Sequence, residues 1–228
     1  MEENCLTQLQ ALQLHLDCLF TDENGRMAFV NEPWGSVSPA PLLFVGQTLQ
    51  GEILWRFGRR ASAAFIEAAE GLLHRGEKKL PAYQKALFAG RCSQENCFYF
   101  SGRASLEPGC RLLGEDDLPL LLAAFPDCGE ELAAAQPYTG AFCGGELVCI
   151  CRSVRKGRAH ESGIETLPAF RRRGYALTAL KSWTAAVLAQ GAVPLYSALL
   201  QNTASLQLAQ KAGYQPYAQG FQIWESGL

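Results

Sequence analysis

The sequence predicts an α/β protein, an α+β arrangement on a mixed sheet, and three observations carry that reading. From about residue 104 onward, strand-like and helix-like runs follow the order β-α-β-β-β-α-β-α-β-β, which describes an α/β domain with a mixed sheet. "YTGAFCGGELVCICRSV" is two strand-like runs joined by Gly144–Gly145, a hairpin pattern. "RRRG" is followed at once by apolar residues at helical spacing, with Ala176, Ala179, Leu180, Trp183 and Val187 on one face.

Taken in order, residues 4–20 carry Leu6, Leu9, Leu12, Leu16, Leu19 and Phe20 at near-helical spacing and predict an amphipathic helix. "PLLFVGQTLQGEILWRF" predicts a hairpin turning near Gln50–Gly51. "ASAAFIEAAEGLLHRG" predicts a helix stopped by Gly76, and a shorter helix follows Pro81. "NCFYFSG" reads as a strand. "SGRASLEPG" is a small-residue connection, and the domain boundary is placed there: residues 1–103 form a smaller N-terminal α+β domain of unassigned role, and residues 104–228 a second domain. In that second domain "CRLL" is a short strand, "GEDDLPLLLAAF" a helix opened by acids, and "AHESGIET" a strand. The arginine stretch leads into a helix that stops at Gly191. "VPLYSALL" is a strand, "NTASLQLAQKAG" a helix and "YQPYAQGFQIW" a final hairpin. Trp55, Phe57, Tyr83, Phe98 and Tyr99 are expected in the core of the first unit, and "NEPWG" is a packed corner or a substrate-facing loop.

Composition narrows the function classes. The 228 residues are 48% hydrophobic, enough for a packed core, and the net charge of −2 argues against a nucleic-acid coat or a membrane-surface protein. The acidic "MEENCLTQLQ" lacks the basic and apolar regions of a signal peptide, and a cytoplasmic location is expected. Nine cysteines occur without a C-x-x-C pair, and only His15, His74 and His160 accompany them. They read as reduced thiols acting as small hydrophobes, with no metal site. On a strand, Cys149 and Cys151 would share a face. "SLQLAQKAGYQPYAQG" has the look of a helix-turn-helix, but Pro216, Gly220 and the lack of Lys or Arg after Lys211 leave no second helix to read bases.

Arginines set against a glycine where a helix begins have the parts of a phosphate cradle. The first turn of a helix has unpaired N–H groups and a partial positive charge. Gly174 lets backbone approach an anion, and Ala176 keeps the next inward position small. The same residues also read as a turn beside a solvated face. The spacing fits neither a P-loop nor a dinucleotide fingerprint.

The stretch "TLPAFRRRGYA", Thr166 to Ala176, resembles motif A of the GNAT superfamily of acyl-CoA-dependent N-acetyltransferases. Its final pattern falls on Arg171, Arg172, Arg173, Gly174, Tyr175 and Ala176. "NTASLQLAQKAGY" is similar to motif B, with Asn202 opening a helix and Gly213–Tyr214 closing it. The resemblance covers roughly residues 110–226. Residues 1–103 resemble the extra region of two-part GNAT proteins. It implies a GNAT-like domain whose amides from about Arg172 to Leu177 hold the pyrophosphate of acetyl-CoA, bound as co-substrate. It implies that "AHESGIET" and "VPLYSALL" are neighbours that splay apart, with the pantetheine arm pairing near Ile164–Thr166 and Asn202 close by. Arg152, Arg155, Lys156, Arg158 and Arg171–Arg173 add local positive charge. The partner is a small-molecule or protein amine, with no nucleic acid and no membrane; the first unit covers the amine side or mediates association into a homodimer.

Acetyl transfer needs a base for the amine and a donor for the oxyanion. Glu161 and Glu165, four apart on one strand, share a face and are the candidate bases; His160 faces the other way and is read as structural. Many GNAT enzymes carry a tyrosine acid seven residues after the Asn202 position. Here that position is Ala209, with Tyr175, Tyr196 and Tyr214 nearby in sequence. The function expected is N-acetyl transfer to an amine; the alternatives are a catalytically silent CoA-binding or regulatory module and a structural domain that binds no CoA.

Overall fold

The computed structural model describes residues 6–35, 37–87 and 91–225. In chain order it holds α1 (Gln8–Leu19), β1 (Phe20–Glu23), β2 (Arg26–Val30), β3 (Leu43–Thr48), β4 (Ile53–Phe57), α2 (Ala63–Leu73), α3 (Leu80–Leu87), β5 (Cys92–Tyr99) and β6 (Cys110–Leu112). Then come α4 (Leu118–Ala124), β7 (Tyr138–Cys143), β8 (Glu146–Arg155), β9 (Ala159–Thr166), α5 (Tyr175–Ala189), β10 (Val193–Leu199), α6 (Thr203–Lys211) and β11 (Gln215–Ile223). The mixed α/β architecture is as the sequence predicts.

Local chemistry explains the element ends. Thr7 and Gln10 form a capping box that starts α1, so the helix opens inside the expected 4–20 window; residues 1–5 lie outside the described residues. Asn24 and Gly25, both with positive φ, turn the β1–β2 hairpin. The Asn-Gly pair is a strong hairpin signal that the sequence reading passed over. Asn202 caps α6 by accepting the Ser205 N–H at 3.1 Å.

One nine-stranded sheet in the order β4-β3-β11-β5-β10-β9-β8-β7-β6 organises the chain. All its pairings are antiparallel except β9–β10. This corrects two expectations. There is no final hairpin: "YQPYAQGFQIW" is the single strand β11 with a bulge near Pro216, and Gly220 continues the strand with Phe44 packed over it. Nor is residue 103/104 a structural boundary, because β5 from the first half lies between β10 and β11 and bonds to both. A strand with partners on both edges cannot belong to a separate core.

Helices cover both faces. On one face α1 packs Leu12 and Leu16 against Phe44, Cys97, Leu195 and Tyr217, while α4 packs over Tyr138 and Ile150. On the other face α5 and α6 bury Trp183, Val187 and Ala209 against Phe98, Cys149, Cys151 and Tyr196. Ala179, Leu180, Trp183 and Val187 are fully buried, as the helical spacing predicts; Ala176 is half-buried. Also on this face, α2 and α3 cover β3 and β11, where Tyr83 packs on Phe221. Trp55, expected in the core, is exposed on β4, the sheet's edge strand. The eight cysteines among the described residues are free thiols, and Cys149 and Cys151 do share a face. Among the described residues no helix is long and apolar enough to cross a membrane.

Candidate active site

The sheet opens at one place. Strands β9 and β10 run parallel through three register pairs, Ala159–Val193, His160–Pro194 and Glu161–Leu195. Beyond them β9 stays with β8 as far as Thr166, and β10 stays with β5 as far as Leu199. The two strands therefore diverge and leave a cleft whose walls carry backbone groups without a strand partner.

The outer end of β9 leads into the arginine stretch. A 3-10 turn, Pro168–Phe170, precedes Arg171, and α5 begins after Gly174. Arg172 and Gly174 both have positive φ, 61° and 93°. Alternation of that kind turns successive N–H groups toward one side, which makes an anion-binding concavity. The amides of Arg172, Arg173, Gly174, Tyr175 and Ala176 have no backbone acceptor among the described residues; the first capped amides of α5 are those of Leu177 and Thr178, on the Gly174 carbonyl. A Cβ built on Gly174 would meet nothing within 4 Å, so the space over the cradle is open. Arg171 donates from Nε to the Thr166 carbonyl at 3.2 Å, and the Arg173 guanidinium stacks over Phe170.

Residues 140–219, which span the cleft and the cradle, match the family described as GNAT acetyltransferase. Over these residues the chain is similar to GNAT acetyltransferases. It is similar to an acetyltransferase of the GNAT family from Novosphingobium aromaticivorans, at 22% identity over 61% of this chain and 67% of that one, with a TM-score of 0.50. Along its whole length the chain is similar to a functionally unknown conserved protein from Staphylococcus epidermidis, at 11% identity over 100% of both chains, with a TM-score of 0.56. At these identities the likeness is one of fold. No curated protein matches the chain.

Within this frame the sequence-predicted residues separate. Ile164 and Thr166 lie on the stretch of β9 beyond its pairing with β10, and Arg171 to Ala176 form the cradle beyond it. The Asn202 side chain is occupied as a helix cap. The expected basic segment is divided: Arg171–Arg173 are exposed, but Arg152 is buried in ion pairs with Glu131 and Glu165, Arg155 faces Glu32, and Lys156 donates to the Ala134 carbonyl. Arg158 is exposed between β8 and β9, at the opposite end of β9, so the charge at the cradle comes from the three arginines there. His160 faces α5, hydrogen-bonded to Ser153, whose hydroxyl also accepts from Trp183; burial and then Lys156 push it down to about 4. That is a structural histidine, as expected.

The two candidate bases point to the α1–α4 side. The Glu165 side chain is 47% exposed and pairs with Arg152 at 2.8 Å. Glu161 is buried beneath α1, 3.3 Å from His15 Nε2, and accepts from the Ser197 hydroxyl at 2.5 Å. Burial opposes its charge, but His15 and Ser197 outweigh that and hold it below the usual carboxylate range. Glu161 is thus a fixed anion. His15 is its counterpart: burial would lower it, yet Cys97 and Glu161 hold it well above the ordinary histidine value. Its other nitrogen, Nδ1, is bonded to the Tyr217 hydroxyl at 2.7 Å. The ligand-type atoms of His15, Glu95 and Cys97 lie within 4.8 Å of one another. Both His15 nitrogens are engaged, however, which leaves no lone pair for a metal.

Of the nearby tyrosines, Tyr214 is in the core with its hydroxyl on Thr184, and Ala209 is fully buried against the sheet. Tyr196 is the first residue of β10 past the β9 pairing and hydrogen-bonds to Ser205. Glu95, Ser197 and the His15 network were missed by sequence reading; only "H-L-D-C" on a helical face hinted that a histidine faces the core.

Proposed function

We propose that the protein is an acyl-CoA-dependent N-acyltransferase that moves an acetyl group from acetyl-CoA to an amine on a small molecule or a protein. The observation that carries this reading is the run of open amides from Arg172 to Ala176 at the outer end of the β9–β10 cleft. A pyrophosphate suits those amides and the field of Arg171–Arg173. The arm behind it would follow the unpaired stretch of β9 past Thr166 and Ile164. From Thr166 to Glu161 that strand spans about 16 Å and leads to the inner end of the cleft. A free N–H of β9 there would face the carbonyl oxygen as negative charge develops on it. Asn202 and Tyr196 flank the α6 side. Free thiols fit action in a reducing, cytoplasmic compartment.

A second reading, a silent CoA-binding module, is favoured by one feature: Ala209 supplies no hydroxyl to the leaving thiolate. Thermal unfolding with acetyl-CoA, against ATP and NADPH as controls, tests the cofactor class. At a hundred times its dissociation constant acetyl-CoA adds roughly 2.7 kcal/mol, a midpoint rise of about 5–10 °C. A rise with acetyl-CoA alone followed by release of thiol with an amine supports transfer. A rise with no release under any amine supports the silent module, and no rise overturns both.

Gly174→Glu is expected to abolish that rise. The new carboxylate would stand in the open space over the cradle, and the positive φ disfavours any side chain. An undiminished rise would show that the cradle does not hold the phosphate.

A further inference from the structure

The segment that joins β5 to β6, where the sequence suggests a domain boundary, is a strap across α5 fastened at its two ends. The Phe100 N–H donates to the Pro194 carbonyl at 3.2 Å, and the Glu107 N–H donates to Ser182 Oγ at 3.0 Å. Between these points none of the amides from Ser101 to Leu106 has an acceptor among the described residues. Beneath the strap, between α5 and the C-terminal end of α6, lies a cavity of about 120 Å³. A water occupies roughly 10–15 Å³ of such space, so the cavity has room for about ten water-sized groups. It lies away from the cleft, because Pro194 is within the β9–β10 pairing and the cleft opens beyond Leu195.

The walls carry both signs of charge over an apolar floor. Phe100, packed on Tyr214, and the buried Ala212 form that floor. Thr184 joins them with its hydroxyl already used: it donates to the Leu180 carbonyl at 2.8 Å and accepts from the Tyr214 hydroxyl at 2.7 Å. On the rim, Arg103 has no hydrogen-bonded or ionic partner among the described residues. Lys181 and Glu107 face each other at 3.8 Å, too far for a hydrogen bond, so both keep capacity for a closer partner. Ala212 is also the C-cap of α6, where the helix dipole is negative. Two cations therefore stand beside an acid and a helix C-terminus, around a space of small-molecule size. A plain anion would leave the negative groups unused, and a plain cation the positive ones. A zwitterion meets both.

We propose that this cavity binds a free α-amino acid with an apolar side chain of about the size of leucine. Its carboxylate pairs with Arg103 and Lys181 and accepts from amides of the strap. Its ammonium faces Glu107 and the end of α6, and its side chain covers Phe100 and Ala212. The ligand ties the strap to α5, the helix whose first turn forms the cradle. Lys181 stands six residues, about 9 Å, along that helix from Tyr175. The site is separate from the cradle and does not rest on the acyltransferase reading.

The test titrates full-length, ¹⁵N-labelled protein with L-leucine and follows the backbone amides of Lys181, Thr184 and Ala212. Isocaproate, which is leucine without its ammonium, and isoamylamine, which is leucine without its carboxylate, serve as controls. Saturable shifts are expected with L-leucine, half-complete below about 10 mM. Each control is expected to bind at least about 10-fold more weakly, since each loses a charge-assisted contact. Arg103→Ala is expected to weaken leucine at least about 10-fold with no change in melting temperature, and Arg103→Lys to recover part of that loss. Saturating acetyl-CoA is expected to leave the leucine shifts in place. The proposal is overturned by the absence of shifts at these amides, by a control that binds as tightly as leucine, by full affinity in Arg103→Ala, or by displacement of leucine by acetyl-CoA. A protein that answers leucine but not acetyl-CoA keeps this site and loses the acyltransferase reading, so the two fail separately.

Discussion

Residues 104–228 expressed alone will not fold. The fragment holds every GNAT motif residue, yet it lacks β5, which occupies the slot between β10 and β11. Without it, the whole ladder from Leu195 to Leu199 and that from Gln215 to Ile223 lose their partner. Backbone groups in the middle of a sheet would then be buried or left to water without acceptors, each at a cost of about 1–3 kcal/mol when buried. Phe98, Cys97 and Tyr99 leave two hydrophobic clusters at once. Deficits of that kind exceed the 5–15 kcal/mol by which a domain is stable. Circular dichroism and amide NMR of the fragment decide the matter, and a cooperative melt would show that the second half has its own core after all.

His15→Ala will lower stability by about 3–5 kcal/mol, because it strands the Glu161 carboxylate in a buried site. For a chain of this size that is a drop in melting midpoint of about 10 °C. The pH dependence has a defined sign. His15 is held above its ordinary value, so its contribution is complete below about pH 6.5 and fades as pH rises through its raised value. Glu161 is held below its ordinary range, so its contribution is lost only as pH falls through that lowered value. The gap between wild type and variant is therefore widest in mild acid and narrows in alkali. Urea titrations at both ends measure it; a gap that widens with pH would mean that His15 is neutral in the folded protein.

The two kinds of feature differ in how far the sequence reveals them. The cradle was legible because it is local: Arg171 to Ala176 are consecutive, and the apolar face of α5 follows directly. The diverging strands were foreseen from the resemblance, and the three-pair contact of β9 with β10 bears that out. Long-range pairing was not legible. Nothing in "NCFYFSG" says that its neighbours are strands from the far end of the chain, and "YQPYAQGFQIW" reads as a hairpin because Gly220 looks like a turn until Phe44 is seen packed over it. The network around Glu161 failed to show for the same reason. His15, Glu95, Ser197 and Tyr217 come from four elements, and apart from the helical face around His15 none has a telling neighbour in sequence. Glu165 and Glu161 were both read as candidate bases, Glu165 as the nearer to the expected thioester, because alternation gives the face and not the partner; one meets Arg152 at the surface and the other His15 in the core.

The placement of β5 also sets an order of events during synthesis. Its last residue, Tyr99, is made well before either flanking strand exists, since β10 begins at Val193 and β11 at Gln215. Through that interval a strand with apolar residues has two unsatisfied edges, the state in which chains find wrong partners. Pairings this distant in sequence also slow folding. The nascent chain thus grows by 94 residues from Tyr99 to Val193 with this interior strand waiting, and it is in that window that holding by a chaperone, or slow elongation, would decide the yield of native protein.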